Sequence, residues 1–268
     1  MSPAVPSTAV LESLADRTAS TARRLLAGAG SASLTAYRDH PDGALPVLAH
    51  GVSGDGELVV ALASAGISLS ATGTDVRLDV RVEAPQALVR IVAASIHLLG
   101  RVSWLDGAAL DPQTLPEPVA LVAADPAVRV GLVHSDRVLV HDAAGVTPYA
   151  LDDVALPAPS FPSPGERLEA AEAIAGLPAE QLTALCDAVA ERRLPGRVLS
   201  DRPTPVTSRH ALGGTFCVDV DALGVNLMRV RPGGTSVLFL PFPEPVADVA
   251  GVRRQLTMLS AGAAQDAS

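Results

Sequence analysis

The stretch DVRLDVRVE, from Asp75 to Glu83, alternates strictly between charged and apolar residues. Its valines and its leucine fall on one side of an extended chain, and its charged side chains fall on the other. A period of two residues is that of a half-buried β-strand, and clean alternation is typical of antiparallel sheets. We therefore expect a strand whose apolar face joins a core and whose charged face meets solvent or a partner.

Further strands and tight turns surround this stretch. A hairpin is predicted from Leu45–Val52 and Glu57–Ala63, because glycines at 54 and 56 allow the positive φ that its turn needs. An N-terminal helix over Thr8–Ala27 precedes the strands, and Gly28 and Gly30 end it. The pattern continues in Ser31–Tyr37, Ala87–Ala93, Ser95–Trp104 and Arg129–His141, with loop and a short helix within 106–126. Roughly six strands with tight turns predict a small barrel rather than βαβ units.

A proline-rich joint over 156–164 separates this part from a second one. Four prolines in nine residues stiffen the backbone and exclude both helix and sheet ladder. The predicted elements beyond it are helices Glu166–Ala175 and Pro178–Arg192, strands Thr215–Asp221, Gly224–Arg231 and Thr235–Pro241, and a helix over 245–260. We expect an α+β protein of two domains, 1–155 and 165–268, the second with the order ααβββα.

The composition removes several functions. All 20 basic residues are arginine, so mechanisms that need a lysine amine, such as a pyridoxal phosphate Schiff base or a P-loop, are excluded. A net charge of −9 argues against nucleic acid as a partner. The sequence has neither a long apolar run nor a basic, apolar start, so we expect no membrane association and a cytoplasmic location.

Common catalytic and metal motifs do not appear. The six histidines lack the spacing of a zinc site, and there is no G-x-S-x-G elbow for Ser-His-Asp catalysis. Asp219 and Asp221 start like a calcium loop, but the later ligands do not follow, so we interpret them as solvent-facing strand residues. Cys186 and Cys217 lie among apolar residues and are interpreted as small core residues.

Two segments of the second part carry a family resemblance. They are DALGVNL, from Asp221 to Leu227, and LPFPEPV, from Leu240 to Val246. Both resemble the small C-terminal domain of split-barrel proteins in the pyridoxamine-phosphate-oxidase-like superfamily, which includes haem oxygenases of the HugZ type and glutamyl-tRNA-reductase-binding proteins. The resemblance implies a flavin-type split barrel, a homodimer and, in some members, a haem site between barrel and C-terminal domain.

The chain departs from the family at two sites. The helix that often carries an M-N-x-D-H-like motif reads AAEAIAGL here, from Ala170 to Leu177. No arginine or lysine lies between Arg38 and Arg77, although FMN in this superfamily needs cations for its phosphate. We therefore expect the protein to carry no stoichiometric FMN.

The resemblance implies a protein that binds or handles haem, either with or without catalytic turnover of haem. The predicted cofactor-binding residues are His210 as the iron ligand, His134 as the next candidate, and Arg202 and Arg209 as partners of the propionates. No metal site is predicted besides. A non-catalytic regulatory or interaction module of the same fold is the alternative, and a flavin-dependent oxidoreductase ranks third. Whether the protein is an enzyme stays open at this stage.

Overall fold

The computed structural model describes residues 8–65, 73–86, 89–105, 112–157, 161–204 and 211–265. The helices are α1 (Thr8–Leu26), α2 (Glu117–Ala123), α3 (Leu151–Val154), α4 (Pro164–Ala175), α5 (Ala179–Ala190) and α6 (Val249–Gln265). The first strands are β1 (Ser31–Thr35), β2 (Ala44–Val52), β3 (Leu58–Ala63), β4 (Thr74–Glu83), β5 (Val92–Trp104), β6 (Val128–His134), β7 (Arg137–Asp142) and β8 (Gly145–Ala150). The later strands are β9 (Arg197–Arg202), β10 (Thr215–Val220), β11 (Gly224–Arg231) and β12 (Gly234–Pro241).

Six strands close into an antiparallel barrel. They pair in the order β4-β1-β2-β3-β6-β5, and β5 returns to β4. The strands β7 and β8 extend the sheet outward from β5. The predicted alternation of Asp75–Glu83 is confirmed, because Val76, Leu78 and Val80 are fully buried in the barrel core while Arg77 and Arg81 are exposed.

A four-stranded antiparallel sheet, β10-β11-β12-β9, forms the second part of the molecule. One face of this second sheet packs on α4, α5 and α6 around a core that contains Ile174, Leu185, Leu227 and Leu256. The predicted α+β class, a barrel followed by a small ααβββα unit, is thus confirmed, with β9 as an additional strand. Arg197–Arg202 contains only two apolar residues, and this explains why the sequence pattern did not predict it.

Helix α1 connects the barrel and the second sheet. Its C-terminal part places Ala22, Leu25 and Leu26 in the barrel core. Its N-terminal part packs Val10 and Leu14 against Phe239 and Leu199 of the second sheet. As predicted, glycine ends the helix, and Gly30 has a φ of +87° beside the carbonyl group of Arg81, where a Cβ atom would collide with the backbone.

Two other sequence expectations need correction. The strands predicted over 87–93 and 95–104 are one strand, β5, which begins at Val92. The structure also shows β8 and α3, which were not predicted. Among the described residues, no helix is long and apolar enough to cross a membrane.

His50 fastens the end of α1 to the barrel. Its Nε2–H group donates to the carbonyl oxygen of Leu25 at 2.7 Å, and the ring is buried. Burial disfavours the charged ring and outweighs the effect of the hydrogen bond, so the pKa of His50 is lowered. The neutral form is therefore the one that the folded protein holds.

This arrangement predicts a loss of stability on acidification. The unfolded chain binds a proton at His50 near the ordinary pKa of about 6.5, whereas the folded chain resists it until a lower pH, so the free energy of unfolding falls as pH drops below about 6.5. Urea unfolding between about pH 7 and 5 should show a free energy of unfolding that depends less on pH in His50→Gln than in the unsubstituted protein. The glutamine side chain keeps an N–H donor. His40→Gln, at an exposed position, is the control, and equal slopes for His50→Gln and the unsubstituted protein would contradict the assignment.

Candidate functional site

A cleft of about 540 Å³ lies between the outer surface of the barrel and the face of the second sheet that its helices leave uncovered. We call it the inter-sheet cleft. Its volume falls in the range of small-molecule and cofactor pockets, roughly 300 to 1,000 Å³. The barrel contributes Ile91–Ser95 and His141, and the second sheet contributes the apolar side chains Val218, Met228, Val230 and Val237.

Three side chains give the cleft cationic or imidazole character. His141 stands on the barrel wall at the end of β7, and Arg90 and Arg202 lie at the exposed margin. Arg90 forms an ion pair with Glu83 at 2.6 Å, whereas Arg202 forms none within the described residues. The ring of His141 is half-buried and has no hydrogen-bond partner among those residues. Its nitrogen atoms are therefore available to a ligand.

A second histidine stands behind His141. The rings of His97 and His141 meet edge to face, with centroids 4.7 Å apart and an interplanar angle of 85°. His97 Nδ1 has a short contact with a carboxylate oxygen of Asp79, and its Nε2 atom lies 3.1 Å from the hydroxyl oxygen of Ser95. The strand register explains this cluster, because Asp79 pairs with His97 and Ser95 pairs with His141.

Beneath the cleft lies a buried group of arginines and aspartates, which we call the arginine–aspartate cluster. Asp219 of β10 accepts hydrogen bonds from Arg17 and Arg24 of α1 at 3.2 and 2.9 Å, and from Arg167 of α4 at 3.1 Å. Arg17 also lies 2.9 Å from Asp221. The side chains of Arg17 and Asp221 are only 4 % and 2 % exposed. The cluster therefore binds α1, α4 and the second sheet to one another.

Further contacts attach this cluster to both parts of the molecule. Arg17 donates to the side-chain oxygen of Asn226 on β11 at 2.9 Å, and its guanidinium group lies 5.2 Å from the ring centre of Phe239. Arg167 donates to the backbone carbonyl oxygen of Glu83, at the end of barrel strand β4. Nearby, Thr18 donates to Asp142, which also lines the cleft.

The interpretation of Asp219 and Asp221 as solvent-facing was wrong. Both side chains are buried, because arginines of α1 and α4 pack against them. Burial alone would raise the pKa of Asp219, but the guanidinium groups of Arg24, Arg17 and Arg167 outweigh it and hold that pKa well below its usual range. Asp219 is therefore ionised in the folded protein at any ordinary pH.

Removing the charge of Asp219 should destabilise the fold strongly. Asp219→Asn leaves three guanidinium groups without their shared anion, and breaking a buried ion pair in this way costs about 3–5 kcal/mol. Asp201→Asn is the matched control, since Asp201 lies on β9 at the opposite edge of the same sheet, is 59 % exposed, and has a carboxylate oxygen 3.5 Å from the guanidinium group of Arg231. Its loss should cost at most about 1 kcal/mol in the same urea titration. Similar losses for the two variants would contradict a special role for the cluster.

The structure places the predicted cofactor residues as follows. Arg202 is at the margin of the inter-sheet cleft. His134 is exposed and pairs with Arg101 of β5. Arg101 is six residues from Ser95 along the strand, so His134 lies about 20 Å from the cleft at the usual rise per residue of a strand. His210 and Arg209 lie outside the described residues. Ala211, the next residue in the chain, lines the cleft.

Sequence reasoning missed His141, His97 and the arginine–aspartate cluster. The sequence did contain a signal for the cluster, because Arg17 falls within the apolar stripe of α1. An arginine in the apolar stripe of a helix indicates a buried charge, and a buried charge needs a partner. No comparable signal exists for His97 and His141, since only the pairing of β4, β5 and β7 brings them together.

Solved structures of similar fold were found, and 15 chains match. A heme-binding protein from Mycobacterium smegmatis is 15 % identical, with a TM-score of 0.50 over 98 % of this chain and 100 % of that chain. A protein of unknown function from Agrobacterium tumefaciens is 14 % identical, with a TM-score of 0.37 over 90 % of this chain and 94 % of that chain. No protein-family model and no curated protein matches the sequence. The first likeness shows the fold, a split barrel followed by a small domain.

Proposed function

We propose that the protein binds haem, or a tetrapyrrole of the same chemistry, in the inter-sheet cleft. The observation that carries the proposal is the composition of that cleft: an apolar wall faces an imidazole whose nitrogen atoms have no hydrogen-bond partner among the described residues, and two arginines stand at the margin. The likeness to a heme-binding protein over the full chain supports it at the level of fold.

The chemistry of haem fits these residues. The macrocycle is flat and apolar, and the branched side chains Val218, Val230 and Val237 offer it a dry surface. The two propionates are anionic, and Arg90 and Arg202 can receive them at the exposed side. An imidazole is one of the side chains that can hold haem iron, and haem would supply redox or ligand-binding chemistry when bound.

His141 is the proposed iron ligand, because it lines the cleft and its ring nitrogens are free among the described residues. His97 packs edge-on against the ring and fixes its orientation. His210 is the second candidate, on the ground that its neighbour Ala211 lines the same cleft. His134 is too distant to share in this site.

Haemin titration tests the proposal and the ligand together. We expect a Soret shift with one-to-one stoichiometry, and for His141→Ala an affinity lower by at least about 10-fold, or 1.4 kcal/mol. His134→Ala is the matched control and should bind as the unsubstituted protein does, since it removes an exposed imidazole far from the cleft.

The outcomes separate the alternatives. Loss of binding in His210→Ala but not in His141→Ala would transfer the ligand role to His210 and leave the cleft as the haem site. No spectral change at haemin concentrations on the order of 10 µM would overturn haem binding and favour the regulatory or interaction module. A flavin absorbance band in the freshly purified protein would instead favour the flavin-dependent oxidoreductase.

We also propose that the protein forms a homodimer through the outer barrel face. Leu99, Leu139 and Val146 are 60 %, 41 % and 58 % exposed there. Leu139 pairs with His97 and Val146 pairs with His141, so these apolar residues are neighbours across β5, β7 and β8. The charged residues of β4 alternate in sign from Arg77 to Glu83 on the adjoining strand, a pattern that a second copy in antiparallel orientation can complement.

Light scattering after size exclusion tests the dimer. The unsubstituted protein should give twice the chain mass of 27.3 kDa, and Leu139→Glu should shift the population to monomer, because a buried unpaired carboxylate opposes association. Leu121→Glu on α2 is the control, since Leu121 is 75 % exposed on a different surface. If the unsubstituted protein has the mass of a monomer at micromolar concentration, the proposed dimer is contradicted.

A further inference from the structure

Asp79, His97 and Ser95 form a continuous polar chain that ends in the inter-sheet cleft. Asp79 lies on β4, and His97 and Ser95 lie two residues apart on the same face of β5. His97 is in contact with Asp79 through Nδ1 and lies 3.1 Å from the Ser95 hydroxyl oxygen through Nε2. Ser95 lines the cleft, whereas the other two residues stand behind it.

The partners of His97 decide which ring nitrogen holds the proton. An ionised carboxylate only accepts hydrogen bonds, so Nδ1 carries the hydrogen that points to Asp79. In the neutral ring, Nε2 then has a lone pair, and the Ser95 hydroxyl group donates to it. This is the order acid, base, nucleophile that activates serine in hydrolases, where the acid fixes the tautomer and stabilises the imidazolium that forms.

We propose that Ser95 is a nucleophile toward carboxylic esters, with His97 as its general base and Asp79 as the residue that positions His97. The Ser95 oxygen forms a bond to the ester carbonyl carbon while its proton passes to His97 Nε2. The carbon–oxygen bond to the leaving alcohol then breaks, and the alcohol takes that proton. A water molecule then forms a bond to the acyl carbon while its proton passes to His97 Nε2, and the bond from that carbon to the Ser95 oxygen breaks as the oxygen takes the proton back, which releases the acid.

The neighbours of Ser95 supply a place for the developing oxyanion. Ser95 pairs with Arg81 of the neighbouring strand β4 on one side and with His141 of the neighbouring strand β7 on the other. Residues opposite each other in an antiparallel sheet have Cβ atoms about 5 Å apart, so an arginine in this position reaches over its partner. Arg81 is exposed and has no ion pair within the described residues. A cationic donor at this point stabilises negative charge that appears during the reaction.

The cleft indicates the class of ester. Its wall of valines and Met228 accepts an apolar acyl or alcohol part, and Arg90 and Arg202 at the margin favour a substrate that also carries an anionic group. This inference does not depend on haem binding, although both would use the same cleft. Its test is done on the protein without haemin, so the two proposals can fail separately.

The experiment uses a fluorophosphonate probe, which reacts with activated serine by forming a bond from oxygen to phosphorus and releasing fluoride. We expect one adduct by intact mass, mapped to the peptide that contains Ser95. Ser95→Ala should remove it, and His97→Gln should slow labelling about 10²-fold or more, the usual contribution of a general base. Asp79→Asn should slow it as well, through loss of the correct tautomer.

Ser103→Ala is the matched control, because Ser103 lies on the same strand as Ser95 but eight residues away, is not among the residues that line the cleft, and its side chain has no hydrogen bond to a histidine among the described residues. It should label at the rate of the unsubstituted protein. Circular dichroism melts of every variant identify any that fail to fold, and peptide mapping of the unsubstituted protein needs no variant. No adduct at Ser95, or labelling that is equally fast in a folded His97→Gln protein, would overturn the proposal.

Discussion

The buried carboxylate of Asp219 is the constraint on which the relative placement of barrel and second sheet depends. An isolated charge at this depth would cost several kcal/mol, so the fold must bring cations to it. Arg17 and Arg24 come from α1 and Arg167 comes from α4, and these helices are distant from one another in sequence. Since the guanidinium group is planar and always charged, it suits a shared, buried carboxylate better than a lysine amine would. The cluster thus specifies one arrangement, whether or not it adds net stability.

The inter-sheet cleft follows from that arrangement. Apolar contacts hold α1 to the second sheet at Leu14 and to the barrel at Leu25, on either side of the arginine–aspartate cluster. Both walls of the cleft are therefore fixed by packing and by ion pairs rather than by the ligand. A cleft that is formed before binding spares the ligand much of the ordering cost that a flexible site would impose.

Elements whose signal lies within a short stretch of sequence were predicted, whereas features that depend on pairing between distant residues were not. Period-two alternation in Asp75–Glu83 and helical spacing around Leu182 and Leu185 are local signals, and the predicted elements agree with the structure. The strand Arg197–Arg202 was missed because its place in the sheet comes from pairing with Thr235–Phe239 and not from its own composition. The histidines of the candidate site were missed for the same reason: Asp79 and His97 are 18 residues apart, and only the register of β4 and β5 makes them neighbours.

The outer face of the barrel near the cleft differs from an ordinary solvated surface, where long charged side chains are expected. At Ser95, His97 and His141 the side chains are short or aromatic and are wholly or partly withdrawn from water beneath the second sheet. Polar groups withdrawn from water must find partners or lose free energy. Asp79 and Ser95 satisfy both nitrogens of His97, whereas His141 is left with none among the described residues. The imidazole of His141 faces the cleft, where a molecule that enters can supply the partner that the described residues do not.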